Sequence, residues 1–256
     1  MFIDSFGIAA LAVFFYMTIW FVIAARQMDN SIADIAWGLG FVVVAWLTFA
    51  LGDRNLQGLI VSLAVTLWGI RLATHVAIRN HGRGEDPRYR KWREEWKGNV
   101  LWRSYLQVFM LQGLFMLLVS LPFIWINTVS TPTWSILAVL GLTIWATGFF
   151  FETVGDLQLK RFLQDGSNRG KILQTGLWRY TRHPNYFGEV TLWWGIYLIA
   201  FSAGGWWTVI GPMLISFLIL KVSGIPMLEK PMETNPEFLA YRQRTSAFFP
   251  IPPHGN

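Results

Sequence analysis

Cysteine is absent from this sequence of 256 residues. Disulfide bonds, thiolate catalysis and cysteine-based metal sites are therefore excluded. Histidine is also scarce: the chain has four, and none of them belongs to an H-x-x-H or H-E-x-x-H motif. Because zinc sites are usually built from cysteine, histidine and nearby acids, we predict no metal site.

The usual motifs of soluble enzymes are missing as well. The chain contains no G-x-G-x-x-G, no Walker loop and no G-x-S-x-G elbow. These motifs hold phosphates in soluble nucleotide-binding domains or expose a catalytic serine. A nucleotide site in this chain must therefore be of a different kind.

Charged residues make up only 14% of the chain, whereas hydrophobic residues make up 54%. Soluble domains have about 25% charged residues. The 15 tryptophans exceed what a soluble core requires and are typical of aromatic belts at membrane interfaces. We therefore predict a polytopic membrane protein, and we interpret the net charge of +6 by its position relative to the membrane, with no nucleic-acid partner.

Seven apolar stretches are long enough to cross a bilayer, which takes about 20 residues per helix. The first has no basic segment before it, so we interpret it as a transmembrane helix and not as a cleaved signal. The last two are separated by three residues and must form a tight helical hairpin. The sequence thus predicts an all-α fold, a monomer with one seven-helix membrane domain over residues 1–256. The predicted spans are 6–25, 32–51, 58–78, 105–127, 134–155, 185–202 and 206–223.

Lysine and arginine are distributed unevenly between the two sides that these spans define. The side of the amino terminus has one, Arg54, the other side has 19, and Arg71 lies within a span. The positive-inside rule then predicts an external amino terminus and a cytoplasmic carboxyl terminus, most simply in a bacterial inner membrane. On the cytoplasmic side, segment 90–96 is typical of an amphipathic helix on the membrane surface, and the glycine-rich loop before it is not regular helix.

The most distinctive polar stretch reads TGLWRYTRHPNYFGE and covers residues 175–189. It is a basic turn, with Arg179, Arg182 and His183, that opens an apolar helix. The positive end of a helix dipole beside these groups favours a phosphate-bearing ligand. A basic turn that contacts only lipid headgroups would have the same composition.

Ionisable side chains lie near the cytoplasmic ends of five of the seven predicted spans. Such groups are costly at membrane depth and normally face a polar cavity. Each has a simpler explanation alone, such as a helix cap, a snorkelling arginine or an interior histidine, but together they predict a polar vestibule above an aromatic cavity. These residues are Asp34, Arg71, His75, Glu152, Asp156, Glu189, Lys221 and Glu229.

Three segments resemble the membrane steroid 5-alpha-reductase family, above all its bacterial branch. They are DIAWGLGF in the second span, RNHGRGEDPRYRKWR after the third, and GLWRYTRHPNYFGE. The resemblance covers essentially the whole chain. It implies a seven-helix protein that binds NADPH under loops 79–104 and 156–184 and the tail 224–256, and reduces the 4,5 double bond of a 3-oxo-4-ene steroid or a similar flat lipid that enters from the bilayer.

The resemblance also implies roles for individual residues. Asp34 matches the family's carbonyl-binding acid and Asn30 the amide beside it. The family's tyrosine on the third span is missing here, so Trp68, His75 or a tyrosine from elsewhere would have to replace it. The substrate would lie against Trp37, Trp68, His75 and Trp193. The cofactor would be bound by Asn80, Arg83, Arg88, Glu152, Asp156, Lys160, Lys171, Tyr180, Arg182, His183, Asn185, Tyr186 and Glu189.

Two other functions remain open from the sequence. Isoprenylcysteine carboxyl methyltransferases carry a similar Arg-His-Pro turn and use S-adenosylmethionine, but that cofactor has no phosphate to explain the basic loops. A transporter or lipid-binding protein is the other alternative. Against a transporter, no pair of spans shows the inverted repeat of broken helices that many transporters have.

Overall fold

The computed structural model describes residues 1–129 and 134–253. Every regular element within these ranges is helical, so the predicted all-α class is confirmed. The chain divides into two compact units. The first contains Met1–Trp134 and Ala200–Gly211, and the second contains Ser135–Ile199 and Pro212–Asn256.

In the first unit, α2 packs against α1, α3 and α6. Glycines allow α2 and α3 to approach closely, because a Cβ atom on Gly38 would lie 2.6 Å from the Gly69 carbonyl oxygen. Small residues play this role at many membrane helix interfaces. The helices of this unit are α1 (Phe2–Gln27), α2 (Ile32–Leu51), α3 (Leu56–Asn80), α4 (Pro87–Trp96), α5 (Val100–Arg103), a π-helix (Ser104–Met110) and α6 (Leu111–Thr128).

In the second unit, α7 and α8 are in backbone contact through glycines. A Cβ atom on Gly148 would lie 2.4 Å from the Leu192 nitrogen, and one on Gly188 would lie 2.3 Å from the Glu152 nitrogen. This contact brings the acids of α7 beside the first turns of α8. The helices that lie wholly or mainly in this unit are α7 (Ile136–Gln164), α8 (Pro184–Ser202), α9 (Ile210–Phe217), a π-helix (Leu218–Val222), α10 (Ile225–Glu229) and α11 (Pro236–Arg244).

Within residues 1–129 and 134–253, six helical segments are long and apolar enough to cross a membrane, which indicates an integral membrane protein. The predicted span 185–202 does form a helix, α8, but it is not among the six, because Asn185 and Glu189 make its first two turns polar. The predicted number of seven spans is therefore approached but not confirmed. The six segments are Phe2–Gln27, Ile32–Leu51, Leu56–Asn80, Pro87–Thr128, Ile136–Gln164 and Trp206–Met232.

Three local predictions are confirmed: segment 90–96 is helical, the loop before it is irregular, and the turn after α8 is short. The amphipathic segment is helix α4, which Pro87 begins and the Asp86 side chain caps by accepting from the Arg88 nitrogen. The preceding loop is not regular, and Gly82 and Gly84 have φ angles of 73° and 70°. The turn after α8 is as short as predicted, and Trp194 of α8 donates to Ser216 of α9 across 3.1 Å.

Candidate functional site

The first unit contains a cluster of polar side chains around Asp34, which we call the Asp34 cluster; its other members are Asp86, Arg88, Tyr89 and Gln112. Asp34 lies in the first turn of α2, and Arg88 and Tyr89 lie in the first turn of α4. One Asp34 oxygen accepts from the Tyr89 hydroxyl at 2.5 Å, and the other accepts from the Arg88 guanidinium at 3.0 Å. Both oxygens of Asp34 therefore accept a hydrogen bond from a side chain of α4.

The rest of the cluster orients these two donors. Arg88 also bonds both oxygens of Asp86, at 2.9 and 3.1 Å, and Gln112 donates to the Tyr89 hydroxyl at 3.3 Å. Burial opposes ionisation of Asp86, but hydrogen bonds from Arg88 outweigh it and hold the pKa of that carboxyl below its usual range. Arg88, which the resemblance implied as a cofactor ligand, is thus shared between two carboxylates.

Asn30 is engaged away from Asp34, although the two residues were expected to act together. Its side chain is buried and donates to the Ser104 hydroxyl at 2.9 Å. Its backbone nitrogen donates to Glu85 at 2.9 Å, and Glu85 also accepts from Arg93 at 2.7 Å. These bonds tie the turn before α2 to the loop before α4, and so hold in register the two helix starts that carry the Asp34 cluster.

Aromatic side chains continue from Asp34 along α2. The Trp37 ring meets the Phe41 ring edge-on at 5.0 Å, and Phe41 meets Trp68 of α3 at 5.4 Å. Trp68 is fully buried and Trp37 is half-buried. His75 lies half-buried on α3, seven residues after Trp68. Trp37 is therefore the tryptophan of this wall best placed to contact a ligand.

The basic turn before α8 is held by a buried ion pair. Arg182 is buried and bonds both oxygens of Glu229, at 2.8 and 3.1 Å, and its remaining nitrogen donates to the backbone oxygens of Thr245 and Arg242. His183 contacts the same carboxylate at 2.8 Å. We call Arg182, His183 and Glu229 the Arg182 clamp. It joins the turn to the carboxyl-terminal segment, so the Arg182 guanidinium is occupied by protein groups.

Further bonds fasten the same two segments. Tyr241 donates to the Trp178 carbonyl oxygen, and burial raises the pKa of its hydroxyl. Thr181 donates to the Phe248 carbonyl oxygen at 2.9 Å, and the backbone nitrogen of Arg182 donates to Ser246 at 2.9 Å. The basic turn is consequently a rigid element.

A second polar group lies along the contact between α7 and α8. The Asn185 side chain donates to Asp156 at 3.1 Å, while its own oxygen is buried and has no hydrogen-bond partner among the described residues. The hydroxyl of Thr153, one turn before Asp156, is buried in the same way. Glu152 and Asp156 are both buried. Buried polar atoms without partners are rare in proteins, and these would suit the carboxamide or ribose hydroxyls of a dinucleotide.

The remaining predicted residues are placed as follows. Tyr186 stacks on His183 with ring centroids 5.5 Å apart. Glu189 is half-buried one turn after Asn185, and Trp193 is buried further along α8. Of the predicted site residues in the second unit, three are exposed: Lys160, Lys171 and Tyr180. In the first unit, Arg83 is exposed and Asn80 is half-buried.

Sequence reasoning missed Tyr89, Gln112 and Thr153. Tyr89 lies just before the predicted amphipathic helix 90–96, and its distance of 55 residues from Asp34 hid the pairing. Thr153 and Gln112 carried a weak signal, since each is a polar residue inside an apolar stretch.

Comparison with known proteins gives one family match over most of the chain. The model of a family described as a protein of unknown function, DUF1295, matches residues 20–245. The chain is also similar to 3-oxo-5-alpha-steroid 4-dehydrogenase 1 from Bos taurus, with 35% identity over 66 residues, and from Homo sapiens, with 33% over 67 residues. Each alignment covers 26% of this chain and 26% of the relative, so it spans about a quarter of the length of these curated proteins. No solved structure matches. The resemblance to steroid 5-alpha-reductases is thereby confirmed.

Proposed function

This chain belongs to the DUF1295 family, and from that premise we propose that it is a membrane reductase that uses NADPH to reduce the 4,5 double bond of a 3-oxo-4-ene steroid or a similar lipid enone. The two similar proteins are named as 3-oxo-5-alpha-steroid 4-dehydrogenases. The observation that carries the proposal is the hydrogen bond between Tyr89 and Asp34.

The Asp34 cluster supplies what the ketone end of such a substrate needs. When bound, NADPH would supply a hydride to the β carbon, negative charge would develop on the ketone oxygen, and a proton from solvent would complete the reduction at the α carbon. A hydrogen-bond donor held at the ketone oxygen is usually the largest single contribution to catalysis. We assign this role to the hydroxyl of Tyr89, which replaces the tyrosine missing from the third span. A phenol has one proton, so this hydrogen bond would pass from Asp34 to the ketone oxygen when the substrate binds, while Arg88 remains bound to Asp34.

This assignment refines the role expected of Asp34. A carboxyl group can donate to a ketone only while it is protonated. Asp34 accepts at both of its oxygens, from a guanidinium and from a phenol. Asp34 therefore acts through Tyr89, as a positioning residue. Trp37, three residues further on α2, gives a flat ring system an aromatic surface to lie against.

The second unit supplies groups that suit a dinucleotide. The Asn185 oxygen and the Thr153 hydroxyl, both buried, would bind its polar hydroxyl or amide groups, with Asp156 and Glu152 accepting from hydroxyls. Lys160 and Lys171 are exposed and would meet phosphates. NADPH carries one phosphate more than NADH, on a ribose. Because this chain is rich in basic residues, we expect it to prefer NADPH. The distribution of 19 basic residues on one side supports an external amino terminus and a cytoplasmic site.

The test is steroid-dependent oxidation of NADPH by the detergent-purified protein, with progesterone and testosterone as substrates. We expect Tyr89→Phe and Asp34→Ala each to lower kcat by roughly a hundred- to a thousandfold, the effect of losing one oxyanion donor. NADPH affinity should change little. Tyr105→Phe is the matched control, because the Tyr105 hydroxyl contacts Thr18 at 3.2 Å and has no assigned role.

Three results would count against the proposal. Full activity in Asp34→Ala would remove the acid from the mechanism. An equal loss of activity in Tyr89→Phe and Tyr105→Phe would show a general effect of removing a phenol. Thermal stabilisation by S-adenosylmethionine and none by NADPH would favour the alternative function, a methyltransferase.

A further inference from the structure

A pocket of about 380 Å³ opens in the second unit, between the turn before α8 and helix α11. Its walls include two arginines, Arg179 and Arg244, and the side chains of Gln174, Thr175 and Thr245. We call it the Arg179 pocket. None of the described residues that line it is acidic.

Both arginines at this pocket are available to a ligand. The side chain of Arg179 is exposed and makes no hydrogen bond or ion pair with a described residue. Arg244 is exposed and donates only to neutral oxygens, those of Ala240 and Gln174, each at 3.3 Å. Two guanidinium groups at one cavity without a carboxylate repel each other, and an anion between them removes that repulsion.

The neighbouring acid, Glu237, forms no ion pair with either arginine of the pocket. Glu237 accepts from the backbone nitrogen of Ile172 and from the Gln174 side chain, each at 3.2 Å. The other end of the Gln174 amide accepts from Arg244. Glu237 therefore orients Gln174, which in turn holds Arg244 at the rim of the pocket.

The walls are fixed by bonds already described. Tyr241 bonds to the Trp178 carbonyl oxygen, and Arg182 bonds to the Thr245 carbonyl oxygen. Gly176 has a φ angle of 63°, which glycine adopts without strain and which starts the short 3₁₀-helix Gly176–Arg179. A preformed pocket loses little conformational entropy when a ligand binds.

We propose that the Arg179 pocket binds a phosphate group, held between Arg179 and Arg244. Guanidinium groups bind phosphate oxygens in pairs, with charge-assisted hydrogen bonds that neutral donors do not match. The threonine hydroxyls at the pocket add neutral donors. The phosphate can belong to a soluble phosphate compound or to a lipid headgroup, since both present the same oxygens. The proposal does not rest on reductase activity.

The test compares Arg179→Gln, Arg244→Gln and the double variant with Arg242→Gln, a matched loss of an exposed arginine on the same helix. Inorganic pyrophosphate is titrated calorimetrically into each detergent-purified protein. In parallel, each protein is reconstituted in phosphatidylcholine vesicles with phosphatidylglycerol, and the retained lipid is measured by native mass spectrometry. Circular dichroism verifies that each variant keeps its helices.

If the phosphate belongs to a soluble compound, the wild-type protein should bind pyrophosphate. Each pocket variant should then bind it with an affinity roughly tenfold or more lower, as for one lost charge-assisted hydrogen bond. If the phosphate belongs to a lipid headgroup, the wild-type protein should retain phosphatidylglycerol and the pocket variants should lose it. Pyrophosphate should then not bind. Arg242→Gln should resemble the wild type in either case. Binding of neither probe, or equal losses in Arg242→Gln and Arg179→Gln, would overturn the proposal.

Discussion

Arg88 and Arg182 bind carboxylates at similar distances but in different surroundings. Arg88 lies 2.9 Å from Asp86 and 3.0 Å from Asp34, and Arg182 lies 2.8 Å from Glu229. The side chains of Arg88 and Asp34 are 36% and 21% exposed, whereas those of Arg182 and Glu229 are 8% and 11% exposed. The two ion pairs therefore differ mainly in their access to water.

This difference in burial separates a group that can bind a ligand from one that holds structure. Water can replace either partner of a half-exposed pair, and Arg88 keeps Asp86 as a partner when Asp34 is lost, so the loss of the pair changes stability little. A buried pair has no such replacement, and removing one partner leaves an uncompensated charge. We infer that the Asp34 cluster can exchange partners with a substrate, whereas the Arg182 clamp stabilises the turn that leads into α8.

The largest effect should follow from Glu229→Gln. This change leaves the Arg182 guanidinium buried without its carboxylate, and breaking a buried pair in this way lowers stability by about 3–5 kcal/mol. Thermal and denaturant unfolding in detergent would measure the change. Glu233→Gln is the control, because Glu233 lies 3.8 Å from Arg242 and is 57% exposed. A loss no larger in Glu229→Gln than in this control would show that the clamp is not structural.

Asn185→Ala should have the next largest effect, on cofactor affinity. The change removes the buried oxygen that has no partner among the described residues and the donor to Asp156. One such bond is worth about 1.5–3 kcal/mol when a partner is charged, or roughly ten- to a hundredfold in the Kd of NADPH. Fluorescence titration of NADPH gives the Kd.

Asn168→Ala provides the comparison for that titration, because the Asn168 amide donates to the Phe162 carbonyl oxygen away from the α7–α8 contact. If both alanine variants bind NADPH like the wild type, the polar atoms along α7 and α8 do not form the cofactor site.

Asp34→Asn should have the smallest effect on stability. Arg88 keeps its two bonds to Asp86, and the asparagine side chain keeps the shape of the acid. Loss of a half-exposed pair changes stability by about 1 kcal/mol or less, measured by the same unfolding experiment as Glu229→Gln. A decrease as large as that of Glu229→Gln would contradict the contrast between the two arginines.

Much of the fold follows from local sequence. The apolar stretches had to be helices, because only helices satisfy the backbone of a single chain segment inside a bilayer. Helix α4 was also predictable, since Asp86 and Pro87 are favourable residues for a helix start. The α7 helix continues to Gln164, nine residues past the predicted end at 155, because residues 156–164 include charged and polar side chains but no glycine or proline.

The candidate site was predictable only in part. Asp34 was proposed because ionisable residues at membrane depth are unusual, and Asn185 was proposed from the resemblance to the reductase family. Tyr89 could not be assigned to Asp34, since the loop that brings them together is not determined by any local pattern. Gly148 and Gly188 carried no functional signal either, yet their close approach places Asp156 beside Asn185.

By itself, the sequence determined the helical membrane class and the concentration of basic residues in a few loops, because both depend on composition and on the order of residues along the chain. It presented Arg179, Arg182 and His183 as one basic turn. Only the tertiary structure distinguished them, since Glu229 reaches Arg182 and His183 from 46 or more residues away and leaves Arg179 open at a pocket. The ligand that an arginine can bind depends on which carboxylate the fold has already placed beside it.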